Sequence, residues 1–114
     1  MPQTWKAVYD VAKRVPKGRV ITYGSLARAA KLPGGAREAG HAMGACPKGQ
    51  GIPWHRVVGA GGRLLIREPY ASLQKRLLEG EGTRFAGMRV EMATQEWLPP
   101  SARKRSKRKR GTAR

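Results

Sequence analysis

The chain is poor in cysteine, acidic residues and long apolar runs, and each shortage narrows what it can be. A single cysteine, Cys46, in 114 residues excludes an internal disulfide and a cysteine-based zinc cluster, and fits a reducing cytoplasm. The apolar runs are only a few residues long, so neither a membrane span nor a secretory signal is expected. A chain this short reads as one domain with a modest core and room for one simple site. Only 7 acids oppose 24 lysines and arginines, a formal net charge of +17. That imbalance points to a polyanionic partner: DNA, RNA or an anionic membrane surface.

Much of the charge sits at the end. From Pro99 the chain reads PPSARKRSKRKRGTAR, with eight basic residues, no acid and no large apolar side chain. Such a stretch cannot bury a core, so residues 99–114 are expected to form a disordered basic tail and residues 1–98 the folded domain. The tail reads as a non-specific electrostatic attachment or a solubility device; in a eukaryotic host it would also pass for a nuclear import signal. Taking those eight charges from +17 leaves +9 on the folded part, which is basic in its own right.

Within 1–98, apolar spacing and turn residues outline the elements. Thr4 is placed to cap a first helix carrying Trp5, Val8, Ala12 and Val15 inward, stopped by Pro16-Lys17-Gly18. Arg19-Val20-Ile21 is short and extended, and Thr22 caps a second helix with Leu26, Ala27 and Ala30 inward. Pro33-Gly34-Gly35 turns the chain into a third helix, about Ala36 to Ala45, closed by Pro47. Val57-Val58, a glycine-rich turn and Leu64-Leu65-Ile66 read as a β-hairpin. Pro69 opens a last helix with Tyr70, Leu73 and Leu77 inward, ended by Gly80 and Gly82. Between Phe85 and Leu98 the pattern is ambiguous, with strand-like alternation over Arg89 to Met92. The fold class expected is mainly α: a winged helix-turn-helix with a small β-hairpin wing.

The third helix is unusual. Ala36, Gly40 and Gly44 share one face with Arg37 at its margin, and each interior glycine costs about 1 kcal/mol relative to alanine. Two readings fit: close packing on another helix, or close approach to a nucleic-acid groove with Arg37 reaching in.

The stretch VITYGSLARAAKLPGGAREAGHAMGACPKGQGIPWHRVVGAGGRL resembles the DNA-binding domain of the O6-alkylguanine-DNA alkyltransferases. The resemblance runs from about Thr4 to Gly82. Those enzymes carry Pro-Cys-His-Arg where this chain has Pro53-Trp54-His55-Arg56. Tryptophan at the reactive position is the mark of the alkyltransferase-like proteins, which bind alkylated guanine without repairing it.

Position by position, the resemblance implies the following roles. Tyr23 helps rotate the damaged nucleotide out of the duplex, and Arg37 is the arginine finger that fills the vacated place in the stack. Ala36 and Gly40 let their helix press into the minor groove, and Thr4 lies near the bound backbone. The lesion pocket is expected from Tyr23, Pro53, Trp54, His55, Val57 and Arg67, the arginine lying over the flipped base. His55 and Glu81 stand as remnants of the enzymes' active-site network. An indole carbon lacks the thiolate's nucleophilic lone pair, so Trp54 can stack on a base but cannot accept its alkyl group. The expectation is a non-enzymatic sensor that binds O6-alkylguanine in duplex DNA, flips it and flags it for nucleotide excision repair. It needs no metal and no cofactor, works as a monomer, and resides in the cytoplasm at the nucleoid, or in the nucleus of a eukaryote.

The hinge asparagine of the enzymes is replaced here by Cys46. Two other functions therefore stay open: an alkyltransferase using Cys46 as acceptor, and a general basic architectural DNA-binding protein.

Overall fold

The computed structural model describes residues 3–46 and 51–99, except for the side chains of residues 3 and 4. Pro47 and the basic tail beyond Pro99 lie outside the described residues. Helix α1 spans Gln3–Arg14, which puts Thr4 inside the first turn and not ahead of it as a cap. Its side chain is among those not described. The spacing of Val8, Val11 and Ala12 in α1, followed by Val15, puts all four in the core.

Strand β1, Ile21–Thr22, leads directly into helix α2, Tyr23–Ala29. Thr22 caps α2 as expected: its Oγ1 accepts the Ser25 N–H at 3.1 Å, satisfying one of the helix's open donors. Leu26 and Ala27 are buried. The turn through Leu32–Gly34 then feeds helix α3, Gly35–Gly44. Helix α3 rests on α1 and α2 through Ala39, Ala42 and Met43, and Tyr9 Oη donates to the Ala42 carbonyl at 2.6 Å.

Strand β2, Val57–Val58, is where expectation and structure part. It pairs in parallel with β1, Ile21 opposite Val57 and Thr22 opposite Val58, and not with Leu64–Ile66 as the hairpin reading requires. The glycine turn explains the difference. Gly61 and Gly62 both take positive φ, and a Cβ on Gly62 would run into the Val90 backbone. The turn is thus pinned against a later segment, which pairs with Arg63 through Arg89. The antiparallel hairpin is instead β3, Phe85–Ala86, with β4, Arg89–Val90, inside the stretch whose pattern is ambiguous. Neighbouring strand residues face opposite sides, so the short β1–β2 ladder divides two cores. Ile21 and Val57 join the α1–α3 cluster, while Val20 and Val58 pack with Leu78 and Val90.

Helix α4, Tyr70–Gly80, also turns a different face inward from the one expected. Ala71, Gln74 and Leu78 are buried, while Tyr70 is 55% exposed and Leu77 also reaches solvent. Gln74 causes the difference. A glutamine counts as polar in any apolar pattern, but here its Nε2 donates to the carbonyls of His55 and Val57, each at 3.0 Å. It satisfies two backbone acceptors of the 54–58 segment and is only 2% exposed. A short helix α5, Met92–Gln95, brings the chain back beside Val20, whose carbonyl accepts the Trp97 N–H at 2.7 Å.

Candidate nucleic-acid interface

The open face of α3 decides between the two readings of its glycines. A Cβ built on Gly40 or Gly44 would meet nothing within 4 Å, and Ala36 and Arg37 beside them are exposed. Close packing on another helix is therefore not the reason for these residues. The face is a smooth strip of backbone open to a partner, with Arg37 standing at its edge.

That strip forms one wall of a cleft of about 740 Å³, within the range of sites that take small ligands. Tyr23 and Arg28 of α2 line it, as do Trp54 from the turn before β2 and the side chains of Leu65 and Ile66. Leu65 is 60% exposed and lies across Gly59, where any Cβ would collide with it at 2.7 Å. Glycine at 59 is what lets that aliphatic rim sit so close to the chain. Leu65 and Ile66 are not expected at the site from the sequence, because the hairpin reading assigns them to a strand. His41 is missed as well; only its position one helical turn after Arg37 marks it in the sequence.

Behind Trp54 the structure is a lock. Residues 54–56 form a single tight turn that puts Trp54 in the lining of the cleft and His55 beside Glu81, the two rings meeting edge-on at 6.0 Å between centroids. Glu81 is held by Arg56 through Nε at 3.0 Å and Nη2 at 2.6 Å, and faces His55 Nε2 at 3.0 Å. Arg56 Nη1 also donates to the Val15 carbonyl at 2.9 Å, tying the lock to the end of α1. The Arg56 hydrogen bonds, followed by that of His55, hold the Glu81 carboxyl down at about 2 against the opposing effect of burial. Glu81 is therefore an ionised acceptor at neutral pH, so His55 Nε2 carries a proton. The histidine–glutamate link is direct, and the carboxylate's main partner is Arg56, the last residue of the Pro-Trp-His-Arg motif.

These features match a known family. A family model described as "6-O-methylguanine DNA methyltransferase, DNA binding domain" matches residues 3–83. The chain belongs to that family. Within the family it is 34% identical over 100 residues to a DNA base-flipping protein of Vibrio parahaemolyticus, covering 87% of this chain and all of that one. It is 33% identical over 106 residues to an alkyltransferase-like protein of Schizosaccharomyces pombe, covering 87% and 98%. A crystal structure of the S. pombe protein with damaged DNA containing O6-carboxymethylguanine superimposes with a TM-score of 0.74 at 31% identity, over 87% of this chain and 98% of that one. The Mycobacterium tuberculosis alkyltransferase bound to DNA gives 0.65 at 32% identity, but covers 71% of this chain and only 50% of its own.

The residues assigned from the family resemblance divide into two groups. Tyr23, Ala36, Arg37, Gly40 and Trp54 come together around the cleft. Pro53 and Val57, expected in the pocket, are buried and not among the cleft's lining residues, and Val57 belongs to the first core. His55 faces Glu81, and Arg67 is exposed one residue beyond the Ile66 edge. Cys46 packs half-buried against the first core and is not among the cleft's lining residues. Burial pushes its thiol pKa up, more than nearby Lys13 pulls it down, which disfavours the reactive thiolate.

Proposed function

We propose that this protein is a non-enzymatic DNA-damage sensor. It binds O6-alkylguanine in duplex DNA from the minor groove and rotates the modified base into the cleft beside Trp54. It holds the base there without alkyl transfer and so flags the site for nucleotide excision repair. The observation that carries this reading is the conjunction of Trp54 and the open α3 strip in one cleft whose lining holds no cysteine among the described residues. On this reading α2 and α3 form the helix-turn-helix, the small-residue strip approaches the groove, and Arg37 fills the space the base leaves. Arg67, beyond the Ile66 edge, closes over the flipped base. Flipping costs a few kcal/mol, which phosphate contacts from the basic surface and stacking on Trp54 offset.

The test is competition binding of an O6-methylguanine duplex against its undamaged twin at fixed salt, with mass spectrometry of the recovered protein. The sensor reading expects clear preference for the modified duplex and an unchanged protein mass. Equal affinity for both duplexes would instead indicate a general architectural protein. A methyl adduct on the Cys46 peptide would make it an enzyme.

A further inference from the structure

His41 lies on the open side of α3, one turn after Arg37, and lines the same cleft. Its side chain is 64% exposed and its Nδ1 is 3.3 Å from Glu38 Oε1. The other carboxylate oxygen, Oε2, accepts the Trp5 indole N–H at 2.8 Å. Those two hydrogen bonds, Trp5 first, lower the Glu38 carboxyl below its ordinary value. Glu38 is therefore an acceptor that α1 holds in place, and His41 meets it as a donor through Nδ1–H. Nε2 is left pointing away from the carboxylate, with no partner among the described residues.

The state of that outward nitrogen decides what His41 can do. In the neutral ring with Nδ1–H, Nε2 is a lone-pair acceptor, which a phosphate or a groove-edge acceptor does not welcome. In the imidazolium it becomes a charged N–H donor, the form a polyanion selects. The charged and titratable groups around it are Glu38 and Arg37 on its own helix and Arg28 and Tyr23 of α2, which share the cleft, while Trp5 of α1 holds Glu38. A phosphate arriving at the α3 strip brings a negative charge that pairs with the imidazolium.

We propose that His41 is a DNA-contacting residue that engages the duplex as imidazolium, positioned by the Trp5–Glu38 clamp, so that binding takes up a proton. This rests on the reading that the open face of α3 meets DNA. The chain has only two histidines, and His55 is enclosed against Glu81, so the source of the proton effect can be assigned.

The experiment follows the two imidazole rings by NMR from pH 5.5 to 8.5, free and bound to an O6-methylguanine duplex and to its undamaged twin, alongside affinities at pH 6 and pH 8 at constant ionic strength. The His41 midpoint should rise in the complex. Affinity should increase about three- to tenfold from pH 8 to pH 6, since a midpoint that rises by one pH unit corresponds to a factor of about ten in binding. The exposed substitution His41→Gln should abolish that dependence, and His41→Arg should hold the high affinity at both pH values. An unchanged His41 midpoint on binding, or a pH dependence that survives His41→Gln, would overturn the proposal. If the midpoint rises but the two duplexes bind alike, this inference stands and the damage-sensor reading falls; the converse result separates them the other way.

Discussion

The protein contains two histidine–glutamate pairs, and they are built for opposite purposes. His55 and Glu81 are each 14% exposed, and Arg56 closes both carboxylate oxygens in a two-pronged bond. His41 and Glu38 sit in the open on α3, with a single indole N–H behind the carboxylate. His55 turns Nε2 toward its glutamate and His41 turns Nδ1, so the first ring is locked inward and the second presents a nitrogen to whatever arrives. The enclosed pair joins α1, the 54–56 turn and the end of α4 through Arg56 and Val15. The comparison separates stability from recognition: one region holds the fold together, while the other keeps hydrogen-bonding capacity and backbone surface open to a partner.

Cutting the lock should have the largest effect. Glu81→Gln removes the charge that answers Arg56 and leaves a largely buried cation unpaired, a loss of about 2–4 kcal/mol. For a domain of this size the thermal midpoint should fall by roughly 10–20 °C; a midpoint within about two or three degrees of wild type would mean that the lock does not hold the fold. The same region predicts an acid limb. The folded carboxyl lies at about 2, below the unfolded carboxylate value of about 4.3. Its contribution is therefore complete above about pH 5 and drains away as pH falls toward 2, amounting to about 2–3 kcal/mol in all. Denaturation curves between pH 2 and 6 should show this slope in the wild type and lose most of it in Glu81→Gln.

Changes around the cleft should show first in binding, although Trp54 also packs against the first core and its truncation lowers stability as well. Trp54→Ala should cost about 1–3 kcal/mol on O6-alkylguanine duplexes, the range for one base stacked on one aromatic, with little change on undamaged DNA. Equal losses on both duplexes would remove Trp54 as a pocket wall. Arg37→Ala should cost about 1–3 kcal/mol on lesion DNA with an unchanged melting temperature, and fluorescence from 2-aminopurine beside the lesion should report less unstacking.

At Gly40 the expected effect is small, but stability and binding part company. Gly40→Ala places a methyl where nothing lies within 4 Å, so the helix should gain about 0.5–1 kcal/mol from alanine's better propensity. If the strip meets a groove, duplex affinity should fall at the same time. Stability and binding would then move in opposite directions at one residue. Binding that stayed level or improved with stability would show that the strip does not approach DNA closely.

Much of this is legible in the chain alone. The inward residues of α1 and α2, the Thr22 cap and the glycine face of α3 follow from local periodicity and capping chemistry, which depend only on near neighbours in sequence. Pro53-Trp54-His55-Arg56 and Gly-Ala-Arg-Glu-Ala-Gly are enough to identify the family resemblance. The failures share a different cause. Val57-Val58 has the composition of a hairpin arm, but its partner, Ile21-Thr22, lies 36 residues earlier, and no local pattern encodes a parallel pairing at that distance. Gln74 reads as a surface residue until two carbonyls from another segment are placed against it. Arg56 stands in the recognisable Pro-Trp-His-Arg motif, but no local pattern pairs it with Glu81, 25 residues later.

Composition and short-range spacing decide helices α1 to α4, the Thr22 cap and the excess of positive charge, because these depend only on near neighbours in the chain. Tertiary structure alone decided which strand Val57-Val58 would join, which face of α4 would be buried, and which cation would answer Glu81. It also left the α3 glycines uncovered, and placed Leu65 and Ile66 at the rim of the cleft. Each of these depends on groups distant in sequence competing for one hydrogen-bond donor, one acceptor or one patch of apolar surface. That competition is settled only when the chain closes on itself.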